Sequence, residues 1–262
     1  MKIIFLHHST GKIIWQGFRP SLFTRALKKV SPGLGDLAGQ KPKLPLLFDF
    51  YNKTNNKDYI ISEMIFPKSS PYGWHNYPFD YYNIWVGNGG DKPYMEEPTL
   101  EMLTKEYDVI IFKHCYPVSN IQPDEASADI DSDYRSIANY KLQYMALRDK
   151  LLEFRSTKFI LFTGAVLVKS AVKEDSAIRA REFFNWVRTE WNVPGDNIYL
   201  WDLYELETEG DLYLKENYAS SPNDSHPNSE FAGRVVNLLF NRIIDVIENE
   251  GKSTSLTGEK IV

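Results

Sequence analysis

Four short runs of consecutive apolar residues recur along the chain, at residues 3–6, 107–112, 158–163 and 197–201. Runs without polar alternation suit strands that are covered on both faces, as in a parallel sheet sandwiched by helices. The stretches between them carry helical spacing. Ile137, Tyr140, Tyr144, Leu147, Leu151 and Phe154 recur at intervals of three and four within residues 136–154. Ile178, Phe183, Trp186 and Val187 do the same within 175–191, where Pro194-Gly195 then ends the pattern. Phe231, Val235, Leu238, Leu239, Ile243 and Val246 mark a third helix over 229–248. Strand–helix alternation of this kind predicts an α/β fold, a three-layer α/β/α sandwich around a mostly parallel, flavodoxin-like sheet.

One domain spanning residues 1–250 accounts for a chain of 262 residues. Residues 31–100 break the rhythm, with Pro, Gly, Asn, Tyr and Trp in abundance. Residues 46–51 read as a strand and the rest as long ordered loops, which are usually functional. The small, polar residues 251–262 read as a flexible tail. A composition of 43% hydrophobic and 25% charged residues excludes wholesale disorder. No apolar run approaches the ~18 residues of a membrane span. A net charge of −5 leaves no electrostatic footprint for nucleic acid. The single cysteine, Cys115, excludes an internal disulfide and a cysteine-rich zinc site. No secretory leader is visible at the start, so the chain reads as cytosolic or as an already processed export product.

Two motifs carry chemistry. His7-His8-Ser9-Thr10-Gly11 directly follows the first predicted strand. Ligands of open α/β sheets bind beyond the carboxyl ends of strands, so a serine there sits on the functional edge at the start of a helix. The competing reading is a plain helix cap. Asn223-Asp224-Ser225-His226-Pro227-Asn228 precedes the last helix. A histidine beside a carboxylate is the base half of a nucleophilic triad. An Asx turn and N-cap would explain Asp224 and Asn228, but not the histidine.

Together the two motifs resemble those of the SGNH/GDSL hydrolase superfamily. Phe5-Leu6-His7-His8-Ser9-Thr10-Gly11 stands where that family has Gly-Asp-Ser-Leu, and Asp224-Ser225-His226-Pro227 where it has Asp-x-x-His-Pro. The resemblance implies Ser9 as nucleophile, His226 as base and Asp224 as its orienting carboxylate. It also implies an oxyanion hole formed by the Ser9 N–H, a glycine after the second strand, taken as Gly87 ahead of Gly89 or Gly90, and an asparagine after the third, taken as Asn120, with His114 or Cys115, nearer the strand end, as the alternative. Three departures stand out. His8 replaces the aspartate before the serine, and Asp224 lies two residues before His226 rather than three, where Asn223 stands. The third-strand loop, Lys113-His114-Cys115-Tyr116-Pro117-Val118-Ser119-Asn120, lacks the usual Gly-x-Asn-Asp.

His8, His114 and Trp85 are the candidate substrate-binding residues. Trp85 belongs to an aromatic tract with Tyr72, Trp74, Tyr77, Phe79, Tyr81 and Tyr82. Such a tract serves either as a sugar- or acyl-binding face or as a satellite core. A Cys115 thiolate beside His114 is a rival nucleophile, set against a small buried cysteine. A metal site is disfavoured, because adjacent His7 and His8 side chains point to opposite faces of an extended segment. No metal or organic cofactor is implied. The expected activity is therefore hydrolysis of a carboxylic ester, with a carbohydrate O-acetyl ester as one substrate class and acyl transfer as its nearest variant. The alternative is a non-catalytic carbohydrate-binding protein on a degenerate hydrolase scaffold.

Overall fold

The computed structural model describes residues 1–19 and 41–261. The first apolar run forms β1 (Lys2–His7), and α1 (Ser9–Gln16) follows after a single residue. Gly17 ends α1 in the left-handed conformation, φ 71°, where an added Cβ would also press on Lys43. Next come α2 (Lys43–Asn55) and β2 (Ile60–Ile65). A short helix α3 (Pro78–Tyr81) runs on into a π-helical turn (Tyr82–Gly87), and α4 (Leu100–Glu106) leads into β3 (Val109–Phe112). A 3-10 turn (Tyr116–Ser119) precedes α5 (Ile137–Leu152) and β4 (Lys158–Phe162). Then α6 (Glu174–Trp186), extended by a π turn to Trp191, delivers the chain to β5 (Ile198–Trp201). After α7 (Leu203–Thr208) comes a small antiparallel hairpin of β6 (Ala219–Ser221) and β7 (Asp224–Pro227). The long α8 (Ser229–Asn249) follows it, with the Asn228 side chain accepting the Phe231 N–H as N-cap.

The central sheet has the order β2-β1-β3-β4-β5, and each of its pairings is parallel. Successive side chains of a strand point to opposite faces, and the chain uses both. Ile3, Phe5, Ile160 and Phe162 pack with Ile14, Leu44, Phe48 and Val235 from α1, α2 and α8. Ile4, Leu6, Leu161 and Leu200 pack with Trp85, Leu103, Tyr144 and Phe183 from the helices of the other face. Both faces being covered is why the strands read as unbroken apolar runs. The result is the three-layer α/β/α sandwich.

Three expectations need correction. Residues 46–51 are not a strand; they lie within α2, where Leu44 and Phe48, four apart, are buried while Leu46 and Phe50 face outward. The second strand is instead Ile60–Ile65, an edge strand whose Ser62-Glu63 interrupts the apolar run. Residues 31–100 are also less loop-like than expected; of these, 31–40 lie outside the described residues. Finally, residues 251–261 are no loose tail. Asp245 accepts the Ser253 and Thr254 N–H groups, at 2.9 and 2.8 Å. The Trp201 indole donates to the Thr257 carbonyl and the Asp202 N–H to that of Leu256. Short polar residues suffice here because α8 and β5 supply the partners.

Candidate functional site

In this strand order the chain leaves β1 for β2 on one side and returns to β3 on the other. Crevices at such switch points, outside the carboxyl ends of the strands, are where doubly wound folds bind ligands. Ser9 stands just beyond β1 and Tyr116 just beyond β3, so the two flank this crevice. The hydroxyls of Thr10 and Tyr116 lie 3.0 Å apart across it.

Ser9 is exposed and is the first residue of α1. The N-cap residue, His8, makes no side-chain cap, and no acidic residue sits in the first turn. The first helical hydrogen bond is donated by Lys12 to the His8 carbonyl at 2.8 Å. The N–H groups of Ser9, Thr10 and Gly11 lie ahead of it, at the positive end of the helix dipole. Uncapped helix starts of this kind favour an anion or a developing oxyanion.

The hairpin strand β7 packs against α1 and carries the second motif. His226 Nδ1 donates to Asp224 Oδ1 at 2.6 Å, and the His226 backbone N–H reaches the same oxygen at 3.1 Å. A two-residue separation therefore lets Asp224 orient the ring, because the strand bends its carboxylate back on its own chain. Arg19 Nη2 holds the other oxygen, Oδ2, at 2.8 Å. Burial disfavours the charged form of Asp224. Hydrogen bonds from Arg19 and His226 outweigh it and hold the carboxyl well below the ordinary range. Among the described residues nothing is hydrogen-bonded to His226 Nε2, which leaves that nitrogen available as a base. The Tyr116 ring stands edge-to-face with the imidazole, centroids 5.5 Å apart at 89°. One side chain thus touches both His226 and the neighbour of Ser9.

A second histidine–carboxylate pair lies on the other side of Ser9. His7 Nε2 meets Glu63 Oε2 at 2.9 Å, and Nδ1 faces the His8 carbonyl at 3.1 Å. Lys12 also pairs with Glu63. Burial lowers the His7 pKa more than its acceptors raise it. A neutral ring donates its single N–H to only one of these two oxygens, and Glu63 and His8 between them face both nitrogens. His8 donates Nε2–H to the Pro67 carbonyl, and burial lowers its pKa too. His7, His8, Ser9, Lys12 and Glu63–Ile65 line a cavity of about 400 Å³. His8 is thereby placed at a pocket beside Ser9.

Other expected site residues fall elsewhere. Trp85 is fully buried, stacked on Phe66, with its indole N–H given to the Pro98 carbonyl. It is a core residue rather than a binding face, and Trp74, Tyr77 and Tyr81 are buried with it. His114 is fully buried between Tyr81 and Tyr144, neither ring nitrogen has a hydrogen-bond partner among the described residues, and burial pushes its pKa down to about 3. It therefore presents no nitrogen to a substrate, and it does not activate Cys115. The neighbour of the Cys115 sulfur is instead Lys113 Nζ at 3.8 Å. Gly87 ends the π turn and is not the glycine that follows β2. The segment that begins there is tied through the Gly90 N–H to Glu101, itself paired with Lys150 in the last turn of α5. That turn leads to the amino end of β4, away from the crevice. Asn120 closes the 3-10 turn between Ser119, bonded to the Ala165 carbonyl, and Ile121, whose carbonyl accepts from Arg179. Among the described residues no hydrogen bond joins Asn120 to Ser9 or His226; its carbonyl and side-chain oxygens face the Gln122 amide.

Tyr116, Arg19 and Glu63 escaped the sequence reading. Tyr116 stood inside the third-strand loop already singled out; the other two carried no local signal. Among the described residues no group of three His, Cys, Asp or Glu side chains is arranged to hold a metal ion. No helix there is long and apolar enough to cross a membrane. Compared with protein-family models, curated proteins and solved structures, the chain matches none.

Proposed function

We propose that the protein is a serine hydrolase of carboxylic esters, with Ser9 as nucleophile, His226 as general base and Asp224 as the carboxylate that orients it. The observation that carries this reading is the Asp224–His226 pair. Its imidazole is fixed through Nδ1 and, among the described residues, unengaged at Nε2, on a strand packed against the helix that Ser9 begins. In the reaction Ser9 Oγ attacks the ester carbonyl while His226 Nε2 takes its proton. The same nitrogen returns the proton to the departing alcohol, leaving an acyl-serine that water then cleaves. The N–H groups of the first turn of α1 are the donors nearest to hand for the tetrahedral oxyanion. They take the place that the family resemblance gave to Gly87 and Asn120. A carbohydrate O-acetyl ester remains the suggested substrate class, and transfer to an acceptor alcohol uses the same acyl-enzyme. Burial of Trp74, Tyr77, Tyr81 and Trp85 counts against a purely sugar-binding role for that aromatic tract, of which Tyr72 is exposed and Phe79 and Tyr82 are half-buried.

The test is labelling with a fluorophosphonate followed by peptide mapping. Modification is expected at Ser9 and is expected to be lost in His226→Ala. Absence of label under conditions that modify a control esterase overturns the reading.

A further inference from the structure

We infer that Arg19 is a positioning residue for the base: its guanidinium fixes the outer oxygen of Asp224 and opposes a second positive charge on the imidazole of His226. The inference rests on the reading of Ser9 and His226 as a hydrolytic pair. A carboxylate that orients a histidine usually also draws the proton onto it. Here the carboxylate is shared. Asp224 Oδ1 serves His226 at 2.6 Å, and Oδ2 serves Arg19 at 2.8 Å. A charge-assisted bond to arginine takes up part of the negative charge that would otherwise stabilise an imidazolium.

Arg19 is not a loosely swinging surface group. Its backbone N–H donates to Ser229 Oγ, the first residue of α8, at 3.0 Å. Its side chain is only 22% exposed. The turn at Gly17 aims this short segment at the hairpin, so the end of the nucleophile's helix is fastened to the base's carboxylate. The other groups facing the pair among the described residues are few. Tyr116 presents its ring to His226, and the hydroxyl of Ser229 sits at the Arg19 backbone. Glu207, near Tyr116, is buried, and burial raises its pKa to about 8, so it is largely uncharged at neutral pH. Among the described residues, Arg19 and Asp224 are thus the charged groups hydrogen-bonded at the base.

The experiment uses Arg19→Met, which keeps an apolar stem, and Arg19→Gln, which keeps a donor to Asp224 without charge. Arg19→Lys restores the charge. The rate of fluorophosphonate labelling at Ser9 is followed from pH 5 to 9. Removal of the charge is expected to move the acidic limb up by roughly 0.5–1 pH unit. The rate at pH 5.5 then falls several-fold while that at pH 9 falls less, and Arg19→Lys brings the limb back. A uniform loss at all pH values with an unmoved limb assigns Arg19 a merely structural role and overturns the inference; so does an unchanged profile. An NMR titration of the His226 ring in the same variants reads the effect without chemistry. A midpoint that stays put when the charge is removed also overturns it. Wild type that takes no label, yet shows the NMR shift, sinks the hydrolase reading and leaves the Arg19 coupling standing.

Discussion

Tyr116 meets the two halves of the site with two different parts of one side chain. Its hydroxyl lies against Thr10, and its ring against His226. Tyr116→Phe removes the first contact and keeps the second. Loss of one hydrogen bond of about 0.5–1.5 kcal/mol corresponds to a roughly 2–10-fold slower labelling of Ser9. The expected outcome is a drop of that size with little change in Tm. A wild-type rate in the variant would remove Tyr116 from the site. At this scale the sequence discloses what is local. Ser9 follows its strand by two residues, and Asp224 and His226 share a four-residue strand, so each motif is visible in one window. Arg19 and Tyr116 act through contacts that span 205 and 106 residues, and no window contains both partners. Trp85 and His114 show the converse. Their residue types suit a binding wall, but only the packing around them reveals that both are enclosed.

Apolar spacing gave away most of the elements, because both faces of the sheet are covered and the strands are therefore uninterrupted. It misled where that condition fails. In α2 only Leu44 and Phe48 are fully buried, so residues 46–51 present a short apolar cluster with no clear helical stripe. Strand β2 lies at the edge and carries polar residues in its middle. The terminal segment shows a third limit, since its order comes from partners elsewhere. Gly258, at φ 88°, sits against the Leu238 carbonyl of α8, and an added Cβ would collide with that backbone oxygen. Gly258→Ala is therefore expected to undock the segment and leave the buried Asp245 and Arg242 short of partners. A loss of about 1–3 kcal/mol is expected, read as a fall of several degrees in Tm. Labelling of Ser9, on the opposite edge of the sheet from the segment's Asp245 anchor, serves as the control for global collapse. An unshifted Tm would show that the segment does not hold the fold.

The molecule as a whole gathers three neutral imidazoles at the carboxyl ends of β1 and β3. Burial lowers the pKa of His7, His8 and His114 alike. A histidine with a depressed folded-state pKa takes up protons more readily when the chain unfolds. Stability is therefore present above about pH 6.5 and is lost as pH falls towards about 3. Glu207 works the other way: with its pKa raised from 4.5 to about 8, it favours the folded state less as pH rises through that window. His114→Phe isolates one contribution. The difference in Tm between the variant and wild type is expected to be more favourable to the variant at pH 5 than at pH 7.5. An equal difference at both pH values would mean that His114 takes up its proton as readily in the folded protein as in the unfolded chain. The distances in sequence that join the site also set an order in time. Under the proposed mechanism, Ser9 leaves the ribosome long before Asp224 and His226, the residues proposed to activate it. On the proposed reading, a product stalled between them presents a serine without its base.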